Sequence, residues 1–388
     1  MMRNISQQLK IVYVINHPDP YGANKALLNI LDGVILRGVY PLVVMAYKGI
    51  ICGDLDKRKI EYQIINHYFS IYPPIRSFRA GLLFIPRFFR TVWYNYRAVK
   101  KLSLAVQVLK PDIIHTNIGP DHIGFQVAKK LNIPHVWHIR EYQDLDFNIH
   151  PFPTKRKFIQ KLLYSNNYPI AITHDLLNHY HMQGNARVIS DGVMQKSQTL
   201  FIEHKEKYFL FVGRLEDAKG IRMLIKAFIE FCTEYTDFEL QIAGDGIPDY
   251  VTELHRIVDH AKLTQRVRFL GFRADVYNLM ANATALLVSS RYEGFGFITV
   301  EAMFNGCLVI GNNSGGTKEI LEKENLGIMY SGHDELVAAM KNVVSNGIES
   351  YFPIVKKAQE RAIELYSIER NVSAVYNFYQ DILSKKTI

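Results

Sequence analysis

Two trains of short, β-rich apolar runs, separated by helix-length amphipathic stretches, constrain this chain more than any other feature. The first train reads KIVYVIN, PLVVMAY, EYQIIN, PDIIHTN, PHVWHI, YPIAIT and ARVIS; the second reads KYFLFVG, FELQIAG, RVRFLG, TALLVSS, CLVIG and LGIMYS. Val, Ile and Leu runs without polar alternation belong to strands covered on both faces, as in parallel sheets, and the intervening helices supply the cover. In NKALLNILDGVILRG, for example, Leu27, Ile30, Leu31, Val34 and Ile35 recur at helical spacing and Gly38 offers a stop. The pattern occurs twice in 388 residues, a length beyond one ordinary core. The expected fold class is therefore α/β, with two doubly wound Rossmann-like parallel-sheet domains facing a cleft. The domains are placed at 1–195 and 196–367, joined through the polar stretch SDGVMQKSQTLFIEHKEK. From Tyr351 onward the chain reads as helix only, and a helix at about 368–388 is expected to pack back on the first domain.

Charge divides with the halves. Through residue 190 there are 24 Lys and Arg against 11 Asp and Glu, and beyond it 22 against 26. This asymmetry suggests two modules with different partners. Three scattered cysteines (Cys52, Cys232, Cys307) lack zinc-like spacing and suit free thiols in a reducing compartment. No window reaches the roughly 18–20 apolar residues of a membrane-spanning helix. The start MMRNISQQLKIVYVIN lacks the apolar region and cleavage site of a signal peptide. A cytoplasmic, non-spanning protein is expected. Residues 75–102 contain Arg76, Arg79, Arg87, Arg90, Arg97, Lys100 and Lys101, interleaved with aromatics and leucines and without one acid. Basic aromatic helices suit anionic lipid headgroups, so peripheral contact with the inner face of a membrane is expected through this segment. The alternative is a solvated cationic face over an ordinary core. No nucleic-acid-binding module is recognisable, and no nucleic-acid partner is expected.

In open parallel sheets ligands sit beyond the carboxyl ends of the strands, so polar residues just after strands are the candidates. RYEGFG lies between the run TALLVSS and the helical stretch FITVEAMF. Gly294 and Gly296 let a backbone approach closely, and Phe297, Ile298 and Thr299 fall at a helix start whose unpaired N–H groups suit a phosphate. Glu301 is expected in the first turn, where it can accept hydrogen bonds from ribose hydroxyls, and Glu293 across the turn, where it can meet sugar hydroxyls. The plainer alternative is that Glu301 complements the helix dipole and Glu293 is solvated. FVGRLEDAKG places Arg214 and Lys219 at a second strand-to-helix turn, a bidentate and a point-charge partner for a diphosphate. AGDG marks a third strand end at Gly244. There is no Walker A loop, no strand–helix unit carries GxGxxG, which speaks against a dinucleotide, and no DxD-type acid pair is positioned for a divalent ion, so no metal is expected.

Taken as an ordered set, GRLEDAKG, AGDG, RFLGF and the two glutamates of EGFGFITVEAMFNGCLVIGNNSGGTKEI, with seven residues between them, resemble the retaining glycosyltransferases of family 4, which have the GT-B fold. The match covers most of residues 208–325. The first half is similar more loosely, through YGANKALLNI, PDIIHTN, IPHVWHIREY and VISDGV. The resemblance implies transfer of a hexose-type sugar from a nucleotide diphosphate, with retention and without cofactor, to a glycan or lipid-linked acceptor. The setting implied is assembly of a capsule, exopolysaccharide or lipopolysaccharide. A UDP-sugar is the default donor and a GDP-sugar the alternative.

By the same resemblance, Glu301 holds the ribose hydroxyls and Glu293 faces the donor sugar. Gly294, Phe295, Gly296, Phe297, Ile298 and Thr299 form the loop whose amides meet phosphate and sugar, and Gly244 lines the donor site. Arg214 and Lys219 neutralise the departing diphosphate, Arg273 lies where the backbone reads the base, and Gly22 belongs to the loop that approaches the phosphates. His138 points at the donor sugar near the reacting carbon; its alternative is a core histidine at a strand end. The chain departs from the family pattern at Gly22-Ala23-Asn24-Lys25, which lacks a second glycine and later acid, at Leu308, where proline is frequent, and at Asn117, where a second histidine is frequent. No residue stands out as a covalent nucleophile, which favours front-face attack. Two other readings remain at this point: a GT-B-like nucleotide-sugar epimerase, and a non-catalytic sugar-nucleotide-binding subunit.

Overall fold

The computed structural model describes residues 8–19, 22–75 and 77–385. The chain divides into two compact units, one made of Met1–Gly192 with Glu369–Ile388, the other of Val193–Ile368. It passes between them through two neighbouring segments: the Val193 N–H donates to the Tyr366 carbonyl at 2.9 Å, and the Ile368 N–H to the Met194 carbonyl at 2.9 Å.

All thirteen apolar runs are strands. In the first unit these are β1 (Leu9–Ile15), β2 (Val39–Met45), β3 (Glu61–Ile64), β4 (Ile113–Thr116), β5 (His135–Ile139), β6 (Asn167–Ala171) and β7 (Arg187–Val188). They form one sheet in the order β3-β2-β1-β4-β5-β6-β7, parallel throughout. Helix Gly22–Ile35 buries the face its spacing defines, Leu27, Ile30, Leu31 and Val34, with Ile35 half-buried at its end. The long helix Phe84–Leu109 lays Ala98, Leu102 and Val106 into a cluster with Val12, Val14, Leu42 and Val44 of the sheet. Helix Ile368–Lys385 buries Val372, Val375, Phe378, Tyr379 and Ile382 in this unit. Its Tyr379 hydroxyl meets His115 Nδ1 at 2.6 Å and the Tyr13 hydroxyl at 3.3 Å, and Asn371 donates to the Ser190 carbonyl at 2.7 Å.

The second unit contains β8 (Glu206–Val212), β9 (Glu239–Ala243), β10 (Val267–Gly271), β11 (Ala283–Val288), β12 (Val309–Asn312) and β13 (Ile328–Tyr330). Their order is β10-β9-β8-β11-β12-β13, again parallel. Helix Ile221–Phe231 covers one face, burying Ile221, Leu224, Ile225, Phe228 and Phe231. Each such side chain contributes about 1.5–3 kcal/mol by leaving water.

In both sheets the direction of strand succession reverses between two neighbours, β1 and β4 in the first unit and β8 and β11 in the second. Loops leaving adjacent strands there diverge to opposite faces and open a crevice at the carboxyl edge.

Candidate active site

At the β8/β11 reversal, the loops leaving the two strands are bonded to each other. The Ser289 hydroxyl donates to the Lys219 carbonyl at 2.7 Å, and the Arg291 N–H to the Ala218 carbonyl at 3.1 Å. The loop after β8 closes in a short 3-10 turn, Asp217–Lys219, and ends on Gly220 at φ +67°. A Cβ at Gly220 would lie 2.1 Å from the Ser289 carbonyl oxygen, so both the conformation and the approach require glycine. The turn directs Lys219 at the other loop, and its Nζ lies 2.7 Å from Glu293 Oε1. Arg214 stands at the start of the same turn, exposed and ion-paired with Glu216 at 3.1 Å. The Leu215 N–H donates to the Asp245 carbonyl at 2.9 Å, which brings the AGDG turn after β9 alongside; there the Gly244 N–H donates to the Gly271 carbonyl at 2.8 Å.

The glutamate loop is held from the β12 side. Asn312 donates to the Ser290 carbonyl at 3.0 Å, the Ser314 hydroxyl to the Arg291 carbonyl at 2.6 Å, and the Gly316 N–H to the Glu293 carbonyl at 2.8 Å. A Cβ at Gly316 would sit 1.9 Å from the Phe295 carbonyl oxygen, so the second glycine of NNSGG is a spacing requirement. Phe295 is buried against Phe297 and Tyr366, with ring centroids 5.2 and 5.5 Å away. With Gly294 and Gly296, these contacts set the loop that leads into helix Phe297–Phe304. At a helix start the first amides have no carbonyl beneath them, which applies here to Phe297 and Ile298. Thr299 instead fixes the turn from inside: its N–H donates to the Gly296 carbonyl at 3.1 Å and its hydroxyl meets that of Thr317 at 3.2 Å.

Glu301 lies just beyond the first turn, not within it. The helix opens at Phe297, so its first turn closes at Val300. Glu301 is thereby one helical turn above Phe297 and on the same side. The Tyr277 hydroxyl donates to Glu301 Oε1 at 3.2 Å. Buried Lys205 ties the two helices that carry this pair: its Nζ donates to the Ala281 carbonyl at 2.6 Å and the Gly306 carbonyl at 2.8 Å, each at a helix C-terminus where a cation is favoured. Neither Tyr277 nor Lys205 carries a local sequence signal. Arg273, exposed after β10, grips Asp275 with both arms of its guanidinium at 2.8 and 2.6 Å, which holds the Asp275 carboxyl below its ordinary range.

The first unit presents a different environment. Gly22 is the exposed first residue of its helix. Next to it, Asn117 at the end of β4 donates to the Ala23 carbonyl at 3.0 Å across the β1/β4 reversal. His138 is fully buried among His115, Arg140 and Asp191. Arg140 donates to its Nδ1 at 3.2 Å. A guanidinium can only donate, so Nδ1 is the acceptor and the ring proton is on Nε2. Burial, then the charge of Arg140, holds His138 neutral well below the ordinary histidine range. Arg140 also pairs with Asp191 and donates to Asn117 Oδ1 at 3.3 Å.

The described residues contain no group of three or more His, Cys, Asp or Glu placed to hold a metal. No helix among them is long and apolar enough to cross a membrane. In the second unit, then, Lys219 and Glu293 meet in the loop that leads into helix Phe297–Phe304, Glu301 lies one helical turn further on, and Arg214 stands at the head of the Lys219 loop, paired with Glu216.

Residues 194–362 match the family described as glycosyl transferases group 1. N-acetyl-alpha-D-glucosaminyl L-malate synthase of Bacillus anthracis is 24% identical over 307 residues, covering 75% of this chain and 80% of the relative. Alpha-monoglucosyldiacylglycerol synthase of Acholeplasma laidlawii is 26% identical over 330 residues, covering 76% and 81%. The crystal structure of Anabaena HepE in complex with UDP superposes with a TM-score of 0.79 at 20% identity, over 96% of this chain and 100% of that one. A crystal of the same protein with UDP-glucose gives a TM-score of 0.74 at 21% identity, over 98% and 100%.

Proposed function

We propose that this chain, which has the GT-B fold and whose residues 194–362 match the group 1 glycosyltransferases, transfers a sugar from a UDP-sugar to a glycan or lipid-linked acceptor, with retention at the anomeric carbon. The observation that carries the reading is the Lys219–Glu293 contact at the β8/β11 reversal, beside the start of helix Phe297–Phe304. A diphosphate laid across that helix start meets the amides of Phe297 and Ile298 and the cations of Lys219 and Arg214. Glu301, oriented by Tyr277, accepts from the ribose hydroxyls. Glu293, released as the diphosphate takes over Lys219, accepts from a hydroxyl of the sugar.

In the transfer step the acceptor oxygen bonds to the anomeric carbon on the face from which the diphosphate departs. The carbon–oxygen bond to the diphosphate breaks with its electron pair on the leaving oxygen, which also receives the acceptor's proton. Negative charge grows on the diphosphate as this happens, and a prearranged donor at such a charge typically lowers the barrier by about 3–4 kcal/mol. In this reading Lys219 and Arg214 supply that stabilisation, and no divalent ion is needed.

The choice of UDP over GDP is supported by HepE, whose crystals hold UDP and UDP-glucose. A lipid-linked acceptor is supported by the relative named for a glucosyldiacylglycerol. The reaction is placed on the cytoplasmic side of a membrane, in surface polysaccharide assembly. The test begins with thermal unfolding of the whole chain with UDP, GDP and their sugars, since a bound ligand raises stability by mass action. Release of UDP is then followed with and without acceptor, and with EDTA. UDP should stabilise more than GDP, and acceptor-dependent UDP release should survive EDTA. Absence of stabilisation by every nucleoside diphosphate would refute the reading.

A further inference from the structure

Helix Phe84–Leu109 and the short helix Phe78–Leu82 before it carry a surface that the donor site does not use. Ile85, Phe89, Trp93 and Tyr96 follow one another at intervals of three and four residues on the long helix, the spacing of one face, and Phe78 and Leu82 are spaced by four on the short helix before it. All six are more than half exposed, from 54% at Tyr96 to 85% at Phe78. The core has no claim on them. It is served by other faces of the same helix: Ala98, Leu102 and Val106 pack on the sheet, while Phe84 and Phe88 stack near Tyr72, and Phe88 meets Phe152 at 4.7 Å. Asn95 fixes the helix from the inner side by donating to the Tyr68 carbonyl at 2.9 Å and accepting from the Tyr68 N–H at 2.8 Å. The apolar face is therefore held rigidly outward.

Cations border it. Arg79, Arg90 and Arg97 each follow an apolar position by one residue, Lys101 lies four residues past Arg97, and all of these and Lys100 are exposed. No acid occurs from Ile75 through Lys110. Among the described residues none of these cations forms an ion pair; Lys100 lies over the Tyr96 ring at 4.4 Å and Arg90 over Tyr68 at 5.2 Å. A contiguous exposed apolar patch rimmed by polar groups marks an interaction surface. A nucleic acid would satisfy the cations and leave the six apolar side chains in water. An in-plane bilayer contact satisfies both, because the apolar row enters the acyl boundary while the basic row stays among anionic headgroups.

We propose that the row Phe78, Leu82, Ile85, Phe89, Trp93 and Tyr96 is a membrane-insertion face that lays these helices in the plane of an anionic phospholipid surface. This deepens the membrane-side placement of the proposed reaction and rests on it only for the identity of the acceptor. The lipid contact itself does not depend on the chemistry at Lys219 and Glu293.

The whole chain is tested by sedimentation with vesicles of phosphatidylcholine alone and with phosphatidylglycerol added. The reporter is internal: of the two tryptophans, Trp137 is fully buried and Trp93 is exposed. Binding to the anionic vesicles is expected, with a blue shift of Trp93 emission. Phe89→Ser combined with Leu82→Ser should lower the partition more than tenfold even at low salt. Arg90→Gln combined with Arg97→Gln should weaken it and flatten its salt dependence. Stabilisation of the chain by UDP, measured in parallel, should be the same in all variants, which separates loss of the lipid contact from failure of the donor reading. Equal partition into both vesicle types, or binding that survives the Leu82 and Phe89 changes, overturns the proposal. So does a blue shift of Trp93 that grows with protein concentration without vesicles, which assigns the face to a second copy of the chain.

Discussion

Lys219 Nζ and Glu293 Oε1, 2.7 Å apart, join the loop after β8 to the loop after β11. The pair holds a cation and an acid where the proposed reaction needs both, and each neutralises the other until an anion intervenes. Both side chains keep some solvent contact, so the pair is worth only about 1 kcal/mol or less to folding. Lys219→Ala should then leave stability nearly unchanged while lowering kcat/KM by roughly 10²–10³. Glu293→Gln should separate binding from turnover. It removes the carboxylate that competes for Lys219, so UDP binds at least as tightly by calorimetry, while kcat with the UDP-sugar falls. A tenfold or smaller loss in Lys219→Ala would remove this residue from the charge-stabilising role.

The clearance between Gly316 and Phe295 gives a second test. A Cβ at position 316 would meet the Phe295 carbonyl oxygen at 1.9 Å and the carbonyl carbon at 2.3 Å. Neither is the movable end of a side chain, so the loop must shift as a body. Gly316→Ala should raise the KM for the donor at least about tenfold, the scale of a 1.4 kcal/mol loss of binding, with the circular dichroism spectrum retained. Gly53, inside helix Ile51–Lys57, is the control, because a Cβ there would meet no atom within 4 Å. Gly53→Ala should stabilise by about 0.5–1 kcal/mol and leave the donor KM alone.

His135 contributes to the acid sensitivity of the first unit. Its Nδ1 lies 2.7 Å from Asn167 Oδ1, and the Asn167 amide nitrogen is spent on the Lys161 and Leu162 carbonyls at 3.0 and 3.1 Å. Nδ1 therefore carries the proton, and Nε2 accepts from the Thr116 hydroxyl at 2.8 Å. Burial, only partly offset by Asn167 and Asp121, pushes this histidine down to about 4. Between pH 6.5 and about 4 the unfolded chain takes up a proton here and the folded chain does not. The stability is fully present above pH 6.5 and is lost on acidification, by up to about 1.4 kcal/mol per pH unit. Asp146, raised to about 6 by burial, works in the opposite sense, so the comparison must be between variants. Urea unfolding at several pH values should give the parent a steeper loss below pH 6.5 than His135→Asn. Parallel slopes would mean that His135 titrates normally.

The fold is legible because parallel strands covered on both faces leave uninterrupted Val, Ile and Leu runs, and thirteen of them can be read without knowing their partners. Strand order is set by pairings far apart in the chain, so the β8/β11 reversal, which gives Lys219 and Glu293 their meaning, can be expected only from the general behaviour of open sheets. Glu293, Lys219 and Gly296 announce themselves through local turn chemistry. Tyr277 and Lys205 do not: one is a lone tyrosine on a helix, the other a lysine at a strand entry, and their hydrogen bonds to Glu301 and to two helix ends exist only in three dimensions. Glu301 falls a fraction of a turn later than its spacing suggests, because the first residue of a helix is decided by loop geometry. For His138 the strand end is readable, but its burial is set by Arg140 and by Asp191 from a distant segment.

Asp191 offers the sharpest test of that buried cluster. Its carboxylate is fully buried and pairs with Arg140, whose other contacts are His138 Nδ1 and Asn117 Oδ1. Burial raises the Asp191 carboxyl while the guanidinium opposes it, so the two charges depend on each other. Removing one partner strands the other: Asp191→Ala should cost about 3–5 kcal/mol in urea unfolding. Removing both charges avoids that penalty, so Asp191→Ala combined with Arg140→Met should recover much of the loss. The double variant also takes away the donor that fixes the His138 tautomer, and its ring nitrogens, followed by 15N NMR, should lose the signature of an Nε2-protonated imidazole. Additive losses in the double variant would show that Arg140 and Asp191 contribute separately, and an unchanged 15N signature would show that the tautomer of His138 is fixed by something other than this pair.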